Sequence, residues 1–218
     1  MTEAAASRLA RVTIPGPAGA LEAVLQEHRG GPPAFVALVC HPHPLYGGTM
    51  HSKVVHRVAA ALHELGATVL RFNFRGVGHS EGTHDQGRGE LEDARAALHW
   101  LRDRHPHARQ WLAGFSFGAW VAARLAAGEA GVDELILIAP PVTRSGFQVL
   151  KSSAVPKLVV QGTVDDVCPI EALETQFPAW AEPRRLVRIE GAGHFFDRKL
   201  APLGEAIVEA MGPKVPKV

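Results

Sequence analysis

Short apolar runs alternate with longer amphipathic stretches along most of the chain. Runs rich in β-branched residues and bounded by Gly, Pro or Asn are typical of strands. The run FVALVC at 35–40 is apolar throughout, as expected for a strand that is covered on both faces. The pattern predicts strands over 11–14, 21–28, 35–40, 68–74, 110–115, 134–139, 157–161 and 185–190.

The amphipathic stretches between the later strands carry apolar residues at helical spacing. In the first of them Ser52 is a candidate N-cap, and Gly66 stands where a helix commonly ends. The spacing predicts helices over 52–65, 90–104, 117–127, 170–180 and 200–211.

Strands that alternate with helices in this way predict an α/β fold. We expect a mostly parallel sheet of about eight strands with helices on both faces, in a single domain over residues 1–218 whose tail, 212–218, frays. Ligands of open α/β sheets bind beyond the C-terminal ends of the strands, so the candidate functional residues are those that follow each predicted strand.

Composition narrows the classes of partner. The formal net charge of the 218 residues is +1, which gives no electrostatic reason to expect nucleic acid or a membrane as a partner and leaves a small molecule or a peptide as the default ligand. The two cysteines, Cys40 and Cys168, are too few for a disulfide scaffold, and Cys40 ends an apolar run as a buried residue would. The first residues do not resemble a secretory signal, and no apolar run approaches the ~20 residues of a membrane span, so we expect a cytoplasmic protein. Oligomeric state is not predicted.

The sequence Gly114-Phe115-Ser116-Phe117-Gly118 lies between a predicted strand and a predicted helix. A serine at such a turn is lifted above the sheet, and the flanking glycines are needed because a Cβ would collide with the neighbouring strand or helix. The N-terminus of the following helix also favours developing negative charge. This pattern predicts that Ser116 is a nucleophile.

A serine nucleophile needs a base, and the base needs a carboxylate that orients it. Asp165 and Asp166 follow one predicted strand, and His194 follows the last one, which gives the chain order Ser, Asp, His. Local sequence favours neither aspartate strongly, since the other could begin the next helix.

The loop His41-Pro42-His43-Pro44-Leu45-Tyr46 follows the strand over 35–40, the place from which one N–H of an oxyanion hole is expected; the other is Phe117 N–H. Prolines have no N–H, so the donor is His43, Leu45 or Tyr46, and we favour His43 with Leu45 second. An alternative is a metal site at His41, His43, His51 and His56, but no Cys, Asp or Glu completes that set, and we expect neither metal nor cofactor.

The stretch Asn73-Phe74-Arg75-Gly76-Val77-Gly78-His79-Ser80 begins like a dinucleotide fingerprint, but Glu81 replaces the third glycine. We interpret it as a glycine turn whose Arg75 and Ser80 tie loops together beside the site.

With these residues in place, the chain resembles the α/β-hydrolase superfamily over nearly its whole length, and within it the small capless serine hydrolases related to dienelactone hydrolases and carboxylesterases. The stretches HPHPLYGGTM, NFRGVGHSEG, GFSFG, QGTVDDVCP and GAGHFF carry the resemblance. It implies that Ser116 is the nucleophile, His194 the base and Asp165, rather than Asp166, the acid. Dienelactone hydrolases have a Cys nucleophile, so Ser116 argues for ester rather than enol-lactone chemistry.

Only about 17 residues, 140–156, intervene where many relatives insert a lid, which is too short for a helical lid domain. We therefore expect an open site with Pro140, Pro141, Phe147 and Val149 along one wall, and Phe115, Phe117, Phe195 and Phe196 either in an apolar acyl pocket or in the core. The predicted activity is hydrolysis of small carboxylic esters or thioesters through an acyl-Ser116 intermediate. The alternatives are a non-catalytic binding protein of the same fold, or a small peptidase or acyltransferase.

Overall fold

A computed structural model describes residues 8–27 and 30–215. Its centre is an eight-stranded sheet with strand order β1-β2-β4-β3-β5-β6-β7-β8, in which β1 pairs antiparallel with β2, β2 pairs antiparallel with β4, and all other pairs are parallel. The strands are β1 Arg8–Gly16, β2 Gly19–Glu27, β3 Phe35–Cys40, β4 Thr68–Phe72, β5 Arg109–Phe115, β6 Val132–Ile138, β7 Lys157–Gly162 and β8 Arg184–Ile189. The predicted fold class and strand number are confirmed.

Within the described residues, five α-helices flank the sheet: α1 Lys53–Glu64, α2 Arg88–Arg104, α3 Phe117–Gly128, α4 Ile170–Gln176 and α5 Leu200–Met211. Helices α1 and α5 pack together on one face, and α2 and α3 pack together on the other. Each face has its own buried apolar cluster. Strand β3 is buried along its whole length because helices cover both of its sides, which explains its continuous apolar sequence. Strand β7 is also buried along its whole length, although Lys157 and Gln161 flank its apolar residues.

The predicted boundaries need local corrections. Strand β4 ends at Phe72, two residues before the predicted end. Ser52 does occupy the N-cap position of α1, but its hydroxyl accepts a hydrogen bond from Thr49 N–H instead of capping the helix. Helix α4 stops at Gln176, and a short 3₁₀ turn, Phe177–Ala179, replaces its predicted last residues, because Pro178 cannot continue an α-helix.

Two of the predicted segments extend beyond the residues that the structure describes. The second strand was expected to reach His28, which lies outside the described residues. In the segment 212–218, Gly212–Lys214 form a 3₁₀ turn and the Lys214 ammonium lies 3.3 Å from Glu134 Oε1, while 216–218 lie outside the described residues. Across the described part of the chain, no helix combines the length and apolar character that a membrane crossing requires.

Candidate active site

Ser116 lies at the sharp turn that joins β5 to α3. Its backbone has φ 54° and ψ −119°, a conformation that L residues other than glycine rarely adopt. A Cβ on Gly114 would lie 2.1 Å from Gly118 O, and a Cβ on Gly118 would lie 2.2 Å from Cys40 O at the end of β3. Both glycines are therefore needed for the close approach of helix and strand, as the sequence predicts.

Three side chains predicted to act together are joined by hydrogen bonds. His194 Nε2 lies 3.0 Å from Ser116 Oγ, and His194 Nδ1 lies 2.9 Å from Asp165 Oδ2. A carboxylate only accepts, so Nδ1 carries the proton and Nε2 is free to accept one from the serine hydroxyl. Asp165 and His194 are buried and Ser116 is half-buried, whereas Asp166 is exposed. The geometry thus brings together Ser116, His194 and Asp165.

Asp165 is held in place by further donors. Its Oδ1 accepts hydrogen bonds from Val167 N–H at 2.9 Å and Cys168 N–H at 2.7 Å. Its Oδ2 accepts one from Gln161 Nε2 at 3.0 Å, and the same amide nitrogen donates to Cys168 O at 2.8 Å. Both partners of the amide are acceptors, which fixes the orientation of the Gln161 side chain.

Sequence reasoning missed Gln161. It stands at the end of the apolar run of β7, fully buried, and its Oε1 has no hydrogen-bond partner within the described part of the chain. A polar residue inside a buried strand must find partners, and that signal was present in the sequence.

The loop after β3 leaves one particular N–H available beside Ser116. Leu45 N–H donates to His43 Nδ1 at 3.3 Å, and Tyr46 N–H donates to His43 O at 3.1 Å. Among the described residues, no group accepts a hydrogen bond from the N–H of His43 or of Phe117. Of the three donors that the sequence leaves open, Leu45 and Tyr46 are thus already engaged.

Burial disfavours the charged form of two histidines of this loop. His41 is fully buried: its Nδ1 lies 2.7 Å from Pro42 O, and its Nε2 accepts from Phe74 N–H at 3.0 Å. Burial lowers the pKa of His41 to about 4. Burial, and next the charges of His84 and Arg144, also lower the pKa of His43, whose Nδ1 must stay unprotonated to accept from Leu45.

The four histidines of the alternative metal site do not assemble. Both ring nitrogens of His41 are engaged, and His51 and His56 are exposed on or near α1. Within the residues that the structure describes, the group of ligand-type side chains close enough to hold a metal ion is Asp165, Cys168 and His194. The hydrogen bonds of Asp165 and His194 already occupy the atoms that would bind the ion, so we assign no metal to them.

The thiols near the site are not competing nucleophiles. Burial, and next the charge of Asp165, raise the pKa of Cys168 to about 12, so it is a neutral thiol near pH 7. Cys40 is fully buried, as predicted, and burial raises its pKa as well.

The glycine turn after β4 has the structural role that the sequence predicts. Arg75 forms a two-pronged ion pair with the buried Asp93 of α2, with N–O distances of 2.9 and 2.7 Å. Ser80 Oγ donates to Asn73 O at 2.7 Å and accepts from Glu22 N–H at 2.9 Å. Gly76 and Gly78 both adopt positive φ, which the turn requires.

A cleft of about 480 Å³ opens beside Ser116. It is bounded by the loop after β3, the start of α1 and the loops after β7 and β8. The residues that line it are Pro42, His43, Tyr46, Gly47, Gly48, Ser52, Lys53, Val54, Phe115, Ser116, Val167, His194, Phe195 and Asp197. Phe115 and Phe195 line it, whereas Phe117 and Phe196 are buried in the core.

The predicted wall of Pro140, Pro141, Phe147 and Val149 is wrong, because none of these residues lines the cleft. Phe147 instead turns inward and stacks on Trp180 with ring centroids 5.9 Å apart, and Val149 packs against the same core. The segment 140–156 forms one short 3₁₀ turn, Phe147–Lys151, in place of a lid.

The comparisons with known proteins agree with this architecture. A family model described as alpha/beta hydrolase fold matches residues 44–148. An uncharacterized protein of Rickettsia prowazekii is 38% identical in an alignment of length 201 that covers 88% of this chain and 84% of that protein.

Two solved structures are similar over almost the whole chain. An alpha-beta serine hydrolase homologue from Coxiella burnetii is 43% identical with a TM-score of 0.89, covering 93% of this chain and 97% of its own. An a/b serine hydrolase without lid from Xanthomonas campestris is 40% identical with a TM-score of 0.90, covering 97% of both chains.

Proposed function

The chain belongs to the α/β-hydrolase superfamily, and we propose that it is a serine hydrolase that cleaves small carboxylic esters or thioesters through an acyl-enzyme on Ser116. The observation that carries this proposal is the unbroken hydrogen-bond chain from Ser116 Oγ through His194 to Asp165. The cytoplasmic location stays a prediction from the sequence.

In the first half of the reaction, Ser116 Oγ attacks the carbonyl carbon of the ester while His194 Nε2 takes the hydroxyl proton. Asp165 keeps the ring oriented and stabilises the imidazolium that forms, since its carboxylate accepts the Nδ1–H. The tetrahedral oxyanion is stabilised by the N–H groups of Phe117 and His43, and by the N-terminus of α3.

Acylation is complete when this tetrahedral intermediate collapses to acyl-Ser116. The bond to the alcohol or thiol breaks, and His194 gives its proton to that leaving group. Water then attacks the acyl-Ser116 carbonyl and gives its proton to His194 Nε2. Collapse of this second intermediate breaks the bond to Ser116 Oγ and releases the carboxylic acid, and His194 gives its proton to Oγ to restore the serine hydroxyl.

Two features favour this chemistry over the alternatives. A non-catalytic binding protein of this fold would not need to keep the nucleophile, base and acid within hydrogen-bonding distance. Enol-lactone chemistry of the dienelactone hydrolase type uses a thiolate, whereas the nucleophile here is a serine and the neighbouring Cys168 is a neutral thiol.

Labelling with a fluorophosphonate probe tests the proposal directly. We expect the wild-type protein to be labelled on Ser116, and Ser116→Ala to lose labelling and to lower kcat for p-nitrophenyl acetate by a factor on the order of 10⁶. Ser80→Ala is the matched control and should leave labelling intact, since the Ser80 hydroxyl is bonded to Asn73 O and Glu22 N–H and does not line the cleft. Folded wild-type protein that neither reacts with the probe nor hydrolyses the ester would favour the binding-protein alternative.

A further inference from the structure

Exposed apolar side chains are concentrated at the proposed site. Among the described residues, six large apolar side chains are between 57% and 86% exposed. One of them, Leu9, lies on the edge strand β1. The other five stand on the loops that follow β3, β7 and β8, and we call them the apolar rim: Leu45, Tyr46, Val164, Val167 and Phe195.

Three of the five residues of the apolar rim border the cleft that contains Ser116. Tyr46, Val167 and Phe195 line that cleft themselves. The ring of Phe195 lies edge-on to His194, with centroids 5.1 Å apart, and 6.2 Å from the ring of Phe115 on the cleft wall. Clustered apolar side chains exposed to water mark places where a ligand covers them, because each would otherwise be more stable in a core.

The cleft is much larger than a short acyl group. Its volume of about 480 Å³ lies within the range of sites that hold drug-sized ligands, so an acetyl group would leave most of it filled with water. Its charged lining residues are Lys53 and Asp197, whose opposite signs give no net attraction for a charged substrate. The volume of the cleft, its apolar lining residues and its balanced charges together favour a neutral apolar ligand.

We propose that the substrate ester carries a large, neutral, apolar group, an aliphatic chain of about six or more carbons or an aromatic ring, that is seated in the cleft against the apolar rim. This inference rests on the proposed function, because it names the substrate of the same serine. The occupant is part of a single dispersed substrate molecule rather than a membrane surface.

Two ester series measure the preference, one with the acyl chain lengthened from two to eight carbons and one with the alcohol lengthened in the same way. All substrates are kept below the concentration at which they aggregate. Each methylene withdrawn from water can raise kcat/KM up to about fourfold, so we expect a rise of at least about tenfold between the ends of one series.

Substitutions in the apolar rim test whether its side chains cause the preference for longer chains. Phe195→Ala and Val167→Ser should each lower the ratio of kcat/KM for the eight-carbon ester to that for the two-carbon ester, by about three- to tenfold. The ratio removes any general effect that Phe195→Ala has on its neighbour His194, and Val167→Ser provides a second test if Phe195→Ala does not fold. Leu9→Ala, which truncates the exposed apolar residue outside the rim, should leave both rates unchanged.

The outcomes separate this inference from the proposed function. Labelled, active enzyme with no dependence on chain length in either series would overturn the inference and leave the serine hydrolase assignment intact. A chain-length effect that appears only in the presence of micelles or vesicles would mean that the rim contacts a lipid surface, and would also overturn it. Absence of both labelling and hydrolysis would contradict the proposed function itself.

Discussion

At the scale of single residues, two adjacent aspartates have opposite surroundings. The Asp165 carboxylate accepts from two backbone N–H groups, the Gln161 amide and the His194 ring. Four donors around this buried carboxylate fix its orientation. Asp166 is exposed, and α4 begins only at Ile170, so the role of helix initiator that the sequence leaves open for Asp166 is wrong.

Exchanging one carboxylate for an amide should therefore separate the two positions. In Asp165→Asn the amide can donate to His194 Nδ1, which leaves the proton on Nε2 and removes the base that Ser116 needs. We expect kcat for p-nitrophenyl acetate to fall by a factor on the order of 10⁴. Asp166→Asn is the matched control and should stay within about twofold of the wild type, as is usual for surface changes. A large loss in Asp166→Asn alone would reassign the acid.

At the scale of elements, the turn between β5 and α3 is the most constrained part of the site. Ser116 is held at positive φ, which costs on the order of 1–3 kcal/mol and persists only when the surrounding structure enforces it. Here the enforcement comes from α3, which approaches β3 so closely that only glycine fits at position 118. The reactive hydroxyl is thus positioned by helix–strand packing.

Two glycines of the same helix allow a controlled test of that packing. A Cβ at position 118 would meet Cys40 O at 2.2 Å, a backbone atom that cannot move without shifting β3, so Gly118→Ala should lower the free energy of unfolding by at least about 2 kcal/mol. A Cβ at position 128, the last residue of α3, would meet no atom within 4 Å. Gly128→Ala should therefore be neutral or stabilising by up to about 1 kcal/mol.

Urea titrations of the two alanine variants give the comparison, and p-nitrophenyl acetate hydrolysis reports the geometry of the turn. Gly118→Ala should lose activity together with stability, whereas Gly128→Ala should retain it. Equal urea-unfolding midpoints and slopes for the two variants would contradict this prediction and show that β3 shifts to accommodate the added methyl group.

The eight strands could be predicted from the sequence because each has apolar or β-branched residues in a short segment bounded by turn residues. Helices α1, α2 and α5 could be predicted from their regular apolar spacing, and α3 from its run of small and apolar residues. The segment 140–156 could not be predicted in the same way. It has no repeating pattern from which side-chain direction follows, so nothing in its sequence showed that Phe147 faces Trp180 rather than the cleft. The length of that segment, by contrast, correctly excluded a lid domain.

At the scale of the whole molecule, the parallel order of β3, β5, β7 and β8 brings the loops that follow them to one edge of the sheet. This placement of His43, Ser116, Asp165 and His194 could be predicted, since chain order and strand direction determine which loops meet. The hydrogen bonds of Gln161 and His41 could not, because they depend on register between strands that are distant in sequence. These buried hydrogen bonds join residues of the site to strands of the sheet, so they contribute both to the geometry of the site and to the stability of the fold.

His41 makes the stability of the molecule depend on pH. It joins the end of β3 to Phe74 beyond β4 and is held neutral, with a pKa lowered by burial to about 4 from an ordinary 6.5. As the pH falls through this window, the unfolded chain binds a proton that the folded state excludes, so the free energy of unfolding decreases. For His41 alone we expect a loss of about 2 kcal/mol between about pH 7.5 and about pH 5.

Urea unfolding at the two pH values, for the wild type and for His41→Gln, isolates this contribution from that of the carboxylates. His41→Gln is less stable at neutral pH because it loses a buried ring with two hydrogen bonds, but its free energy of unfolding should fall less as the pH is lowered. His51→Gln changes an exposed histidine of the same region and should keep the wild-type pH dependence. If the free energy of unfolding falls equally in the wild type and in His41→Gln, the folded protein binds a proton on the His41 ring as readily as the unfolded chain does, which would contradict the prediction.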